Sequence, residues 1–446
     1  GTDLLTTLRS EVESVFRSTG FPLETFKMNR ILGDGTLTPR FIIQFGTRQR
    51  LGEVHVEGAE KTDPQRITRR FEDLRGEWFD AEAFDARLKK ILATGAFSSV
   101  RVENSTNSDG TLDATLQLVE GRARGATAYG GFGSYEGAIL GVKYHDRNFL
   151  GKLWNLGTGF EVSSRGLLGE VRLSNPWLLD SDTHLGLRLF SVTRGYEGYD
   201  KFEGGLSAEF SRDDFIEHLD TSLALGSSLV NISENGIPAT ELGETVYNHS
   251  YLRATAAYDR RDSAVSPTTG YHLNALLEGG LVIGDINSNY LRFDTSAAGY
   301  LPLGKKGQLN LGARTGMLMP SGGPADFPID LRLFTGGPDS VRSFRYRELG
   351  ARTTSNDPAG GESYWVANAE YVHAVAGPVK CVGFLDAGDL SALDQGIDFS
   401  SPELAVGLGI RLDLPVGPIR FEYGHNLTRD EGEPSGTWHF AIGTAF

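Results

Sequence analysis

Few residues in this chain have the types and spacing that chemistry requires. Glu370 and Asp386 lie in two successive stretches, Val366–Tyr371 and Phe384–Gly388, that read as neighbouring strands. Two carboxylates so placed can be read as a general acid/base pair. Nothing nearby resembles a nucleophile or a further acid site, so enzymatic activity finds no support. The nine histidines are scattered, with no H-x-x-x-H pair to suggest a metal site. Thr335–Ser340 contains Gly336-Gly337 but lacks the Gly-Lys-Ser/Thr of a phosphate loop. The single cysteine, Cys381, rules out an intramolecular disulfide framework. No cofactor is expected.

The elements that must position these residues follow from composition and period. At 446 residues the chain exceeds one ordinary core, so at least two units are expected. Hydrophobic content is 39%, and no run of eighteen apolar residues occurs, which excludes a helical membrane protein. The net charge of −15 argues against a nucleic-acid partner. The 57 glycines and the 10% of aromatics sit inside alternating apolar segments without a triplet period. A membrane barrel needs such strands, because lipid-facing and lumen-facing positions alternate.

Leu404–Leu414 is the clearest case. Leu404, Val406, Leu408, Ile410, Leu412 and Leu414 point one way, against Ala405, Gly407, Gly409, Arg411 and Asp413. Ile419, Phe421 and Tyr423 stand opposite Arg420, Glu422 and Gly424 in the same manner. Sixteen candidate strands follow residue 121, an even number that returns the chain to its starting side. Connections after even-numbered strands are mostly tight, as at Phe149-Leu150-Gly151, Gly304–Gly307 and Pro415–Pro418. Most odd-numbered connections are expected to be longer, the longest covering residues 320–364. The last strand places Trp438, Phe440, Ile442 and Phe446 on one face.

Residues 1–120 read as mixed α and β. A strand with Val54 and Val56 precedes a helix started by Thr62 or Asp63 with Pro64 at its first position. Asp80 caps a second helix with Phe84, Leu88, Ile91 and Leu92 on one face, ending at Thr94-Gly95. A hairpin across Asn107–Gly110 completes a β-α-α-β-β order. Upstream, a helix with Leu4, Leu8, Val12 and Val15 ends at Thr19-Gly20-Phe21, and strands near Thr25–Ile31 and Thr38–Phe45 follow. That is the second half of the same pattern, so the chain is expected to begin partway through a preceding copy.

Within the long connection, Arg332-Leu333-Phe334-Thr335-Gly336-Gly337-Pro338-Asp339-Ser340-Val341-Arg342-Ser343-Phe344-Arg345-Tyr346 resembles the sixth-loop signature of the outer-membrane-protein assembly superfamily, which includes BamA and TamA. Tyr258-Asp259-Arg260-Arg261-Asp262 with Pro267 and Gly270 resembles its central D-x-R-D…P-x-x-G turn, and Asp146–Gly151 is a further match. The β-α-α-β-β repeats resemble its POTRA domains, and TamA looks nearest. The resemblance implies a mainly β fold: a sixteen-stranded transmembrane antiparallel barrel over 121–446 with N-terminal α+β POTRA domains. Residues 1–48 would be the C-terminal part of one POTRA domain and 49–120 a complete one. It further implies that Arg342 folds into the barrel and pairs with Glu370 and Asp386, within a loop signature of Gly336, Gly337, Ser340, Val341 and Phe344. A wet lumen would put the strength of that pairing at the low end for buried ion pairs. The family has glycine where this chain has Ser343, so the turn after Arg342 is expected to differ slightly.

The implied function is folding and insertion of client β-barrel proteins through a seam between the first and last strands. Gly130, Gly131, Gly133, Gly443 and Phe446 would form that seam. Glycine weakens strand pairing, and freed backbone groups template a client strand by β-augmentation. The same glycines could instead merely relieve crowding around aromatics. Implied partners are unfolded outer-membrane clients, the lipid bilayer, and accessory lipoproteins or an inner-membrane-anchored TamB-like protein. The implied location is the bacterial outer membrane, with the POTRA domains in the periplasm. The alternative within the superfamily is a two-partner-type secretion pore that exports a polypeptide through the lumen.

Overall fold

The computed structural model describes residues 23–33, 36–322, 326–393, 395–414 and 417–442. The expected helix around Leu4–Val15 lies outside them, as does Pro415 of the expected turn. The chain packs as two units, one holding Gly1–Gly125, His145–Leu156 and Leu179–Ser181, the other Ala126–Tyr144, Gly157–Leu178 and Asp182–Phe446. No helix among the described residues is long and apolar enough to cross a membrane.

In the first unit, β1 (Leu23–Gly33) and β2 (Thr36–Phe45) form an antiparallel pair. β3 (Arg50–Glu57), β4 (Phe97–Thr106) and β5 (Thr111–Glu120) form a second sheet in the order β3-β5-β4, with β3 parallel to β5. One α turn, Gln65–Thr68, continues as the 3-10 turn Arg69–Leu74, and Asp63 accepts a hydrogen bond from the Gln65 amide at 3.0 Å. The helix Ala81–Ala93 starts at Asp80, whose carboxylate accepts from the Glu82 and Ala83 amides at 2.9 and 3.0 Å. Its Phe84, Leu88 and Ile91 are buried, as are Leu112, Ala114, Leu116 and Leu118 on one face of β5. Asp80→Ala removes the cap and is expected to cost this helix about 1 kcal/mol. Faster hydrogen exchange at Glu82 and Ala83 checks it, and unchanged protection there would refute the cap.

Period-two alternation builds the rest. The strands are β6 (Arg124–Gly133), β7 (Gly137–Phe149), β8 (Trp154–Ser163), β9 (Gly166–Asn175), β10 (His184–Gly195), β11 (Gly198–Ile216), β12 (Leu219–Asn235) and β13 (Val246–Asp259). They continue as β14 (Gly270–Ile283), β15 (Ser288–Leu303), β16 (Gly307–Ser321), β17 (Ser363–Ala376), β18 (Val379–Ser391), β19 (Glu403–Leu414), β20 (Gly417–Asn426) and β21 (Gly436–Ile442). Each pairs antiparallel with the next, and β21 returns to β6 through Ala441–Gly133 and Ile442–Phe132, which closes the barrel. Leu140, Leu189, Leu206 and Leu229 point outward, and Leu408 is 75% exposed, so the outer skin is apolar. The inner face carries ion pairs such as Arg188–Glu170 at 3.0 Å and Arg253–Glu278 at 2.5 Å. Apolar outside and charged inside is the pattern of a barrel in lipid.

The connections depart from the expected division. Residues 134–136, 164–165 and 196–197 are as tight as the turns at the opposite end, because Gly137, Gly166 and Gly198 take up positive φ where the chain reverses. Long odd-numbered connections begin only after β12, with 236–245. At the other end, 260–269 is an ordered turn. Asp262 accepts from the Thr268 amide at 2.8 Å and the Thr269 amide at 3.1 Å, and also from the Thr268 hydroxyl. Those bonds, led by the hydroxyl, hold its carboxyl down at about 2.

Candidate functional site

The connection between β16 and β17 turns back on itself and lies against the wall. Gly336 and Gly337 have φ of 99° and 108°, and a Cβ on Gly336 would sit 2.8 Å from the Arg345 carbonyl oxygen. Ser340 closes this bend, its hydroxyl 2.5 Å from Thr335 Oγ1 and accepting from the Gly336 amide at 3.2 Å. Val341 and Phe344 are buried in a cluster with Tyr290, Leu318, Leu333 and Leu390. The bend and the cluster together aim Arg342 at β17, β18 and β20.

Arg342 directs four guanidinium hydrogen bonds to three carboxylates. Its Nε and Nη2 donate to Asp386 Oδ2 and Oδ1 at 2.8 and 2.6 Å, a two-pronged pairing, and its backbone N–H donates to Oδ2 at 3.1 Å. Nη1 donates to Glu370 Oε1 at 2.5 Å and to Glu422 Oε2 at 3.3 Å. The guanidinium carbon lies 3.4 Å from the centre of the Phe384 ring. Arg411 completes the group, donating to Glu370 at 2.8 and 3.2 Å and to Glu422 at 2.6 Å. Asn368, directly opposite Asp386 in the β17–β18 register, donates to it at 2.8 Å.

Two guanidinium groups therefore meet three carboxylates, and both oxygens of Asp386 are occupied by donors. No oxygen of Asp386 remains for proton transfer to a substrate. The site is also dry: side-chain exposure is 2% for Arg342 and 0% for Asp386. The expected wet lumen does not hold at this position, because Phe384 and the loop backbone cover it.

Arg411, Glu422, His439, Thr437 and Gly424 belong to the site although the sequence reading assigned them no role. Alternation had placed Arg411, Glu422 and Gly424 on the inward face, which was the available signal. His439 Nε2 donates to the Arg342 carbonyl at 2.9 Å, and the Thr437 hydroxyl to the Ser343 carbonyl at 2.8 Å. A Cβ on Gly424 would fall 2.4 Å from the Arg342 carbonyl oxygen, so the loop backbone lies directly on β20. Ser343 is fully buried and does not take a positive φ, so this turn needs no glycine for its backbone.

A second anchor holds the start of the loop. Lys201 on β11 pairs with Asp330 at 2.7 Å and Glu203 at 2.8 Å, and the Tyr247 hydroxyl donates to Asp330 at 2.5 Å. Arg332 donates to the carbonyl oxygens of Phe327, Ala359 and Glu241 at 3.0–3.2 Å. Burial pulls its guanidinium down to about 10, still charged at neutral pH.

At the barrel's closure, Ala441 faces Gly133 and Ile442 faces Phe132, and the Ser134 amide donates to the Phe440 carbonyl at 2.8 Å. The Phe132 and Phe440 rings meet across it at 6.0 Å. A Cβ on Gly133 would meet nothing within 4 Å, whereas one on Gly130 would come within 3.1 Å of Leu140. The neighbour at Gly130 is thus an aliphatic side-chain end rather than an aromatic ring, and Gly133 faces open space. Gly131 lies on the same strand; Gly443 and Phe446 lie outside the described residues.

Residues 148–446 match the Omp85 superfamily domain. The chain is 25% identical over 435 residues to the outer membrane protein assembly factor BamA of Nitratidesulfovibrio vulgaris, covering 91% of this chain and 52% of that protein. It thus spans about half the length of that curated relative. Among solved structures, BamA from Haemophilus ducreyi lacking POTRA domains 1–3 superposes with a TM-score of 0.81 at 18% identity, over 99% of this chain and 93% of that one. CdiB from Acinetobacter baumannii gives 0.56 at 14% identity, over 99% and 82%. These two likenesses concern the fold.

Proposed function

The chain belongs to the Omp85 superfamily, and from that footing we propose that it folds and inserts client β-barrel proteins into the bacterial outer membrane. The route is lateral, through a seam between β6 and β21, with the N-terminal α+β unit in the periplasm as a POTRA module. Its partners are unfolded barrel clients, the bilayer, and accessory lipoproteins or an inner-membrane-anchored partner of the TamB kind.

The observation that carries this reading is the occupied interior. Arg342 and the loop backbone around it are held against β17, β18 and β20 by buried ion pairs. A polypeptide threading the lumen would have to displace them, whereas a strand added at the wall would not. Unpaired backbone in lipid costs several kcal/mol per group, so a nascent strand gains by pairing at an opened edge. Client folding itself supplies the driving force.

Depletion in the native cell tests the reading. A general fall in outer-membrane barrel proteins is the expected result. Loss of a single secreted polypeptide, with barrel levels intact, would replace it with the secretion-pore alternative.

A further inference from the structure

Loop residues 342–346 touch both sides of the barrel's closure. On the β21 side, His439 and Thr437 hold the carbonyl oxygens of Arg342 and Ser343. On the β6 side, the Tyr346 ring packs on Tyr135, in the turn between β6 and β7, with ring centres 4.3 Å apart. The Arg165 guanidinium covers the Tyr135 ring at 4.6 Å and its Nε donates to the Tyr135 carbonyl at 3.2 Å. Glu136 of the same turn pairs with Arg194 of β10. Next along the loop, Arg347 lies over Phe334 and Tyr196 at 3.5 and 4.3 Å and donates to the Tyr199 hydroxyl at 2.8 Å.

A chain from Ser343 to Tyr346 reaches at most about 11 Å when fully extended. Here it is bent, the Phe344 amide donating back to the Val341 carbonyl at 3.2 Å. A client hairpin entering between β6 and β21 adds two strand widths, about 10 Å. The strap has no such slack, so one attachment must release before a hairpin fits at this end.

The two attachments differ in kind. The β21 side combines the buried ion pairs of Arg342 with two hydrogen bonds to backbone. The Tyr135–Tyr346 contact is a ring-on-ring packing contact with the planes tilted by 43°: the buried Tyr135 hydroxyl has no hydrogen-bond partner, and Tyr346 stays 42% exposed. We propose that Tyr135 and Tyr346 form a releasable clasp over the loop-side end of the seam. It holds the β6–β7 hairpin to a loop that stays with β20 and β21, and its opening permits lateral widening. This deepens the insertion reading and rests on it.

The test uses the full chain carrying Cys381→Ser, with nitroxide labels on Ser134→Cys and Ser435→Cys, both exposed positions flanking the closure. Distances are measured by pulsed electron paramagnetic resonance in dioleoylphosphatidylcholine vesicles. Tyr135→Ala and Tyr346→Ala are each expected to raise the long-distance population about three- to tenfold, the range of one aromatic pair. The double variant should add nothing further, and Tyr135→Phe should match the parent because the hydroxyl makes no bond. Should Tyr135→Ala lose heat-modifiable mobility, Tyr346→Ala at the more exposed ring carries the test.

Parent-like distances in Tyr346→Ala, or a Tyr135→Phe variant as open as Tyr135→Ala, would overturn the clasp. The same vesicles then receive a urea-unfolded eight-stranded barrel protein. If the parent fails to speed its folding while the alanine variants do open, the insertion reading falls and the clasp stands. If the parent speeds folding but the distances do not move, only the clasp falls.

Discussion

Arg342→Ala is expected to release the loop from the wall while the barrel still assembles. The substitution removes a two-pronged pairing and two further carboxylate contacts at once. Glu370 and Glu422 would keep Arg411 as their guanidinium, and Asp386 would keep only Asn368 among these side-chain donors. Leaving a buried charge unpaired costs about 3–5 kcal/mol. The dryness of this site supports the full range rather than its low end. That corresponds to an increase of about two to four powers of ten in the fraction of time the loop is undocked. Hydrogen exchange at Val341–Phe344, or tryptic cleavage at Arg345, reads it directly. Arg342→Lys should fall between, since an ammonium keeps the charge but cannot form the fork. Native-like protection in the alanine variant would mean that the ion pairs do not hold the loop.

Gly424→Ala should undock the same loop without altering a single charge. The added methyl would lie 2.4 and 2.5 Å from the carbonyl oxygen and carbon of Arg342, and 2.9 Å from the Ser343 nitrogen. All three are backbone atoms, so no side chain can rotate aside. Overpacking of this sort costs about 1–3 kcal/mol, and the loop is the part free to move away. The expected signature is faster exchange at Arg342 and Ser343 with heat-modifiable mobility retained. Combined with Arg342→Ala, the loss should be less than additive, because both changes act on one docking contact. Full additivity, or an unperturbed loop in the single variant, would show that the loop does not rest on β20.

The legible part of the site was its orientation. Alternation alone placed Arg411 and Glu422 inward on β19 and β20. It could not say that Glu422 and Arg411 complete a group around Arg342, because no local spacing links a loop residue to strands far along the chain. Gly424 read as a small inward residue. Its role comes from the loop backbone lying on it. The tight turns at 134–136, 164–165 and 196–197 were readable in principle from Gly137, Gly166 and Gly198.

Strand number, the apolar outer face, the charged inner face and the capped helix at Asp80 are properties of neighbouring residues. Period and capping are local, and they were determined by the order of side chains alone. Which inward carboxylate meets which guanidinium, how dry that meeting is, and that residues 342–346 contact both sides of the closure were decided only in three dimensions. The reason is geometric. A barrel brings its first and last strands together by closing, and a loop that turns inward finds partners set by the circumference rather than by sequence distance.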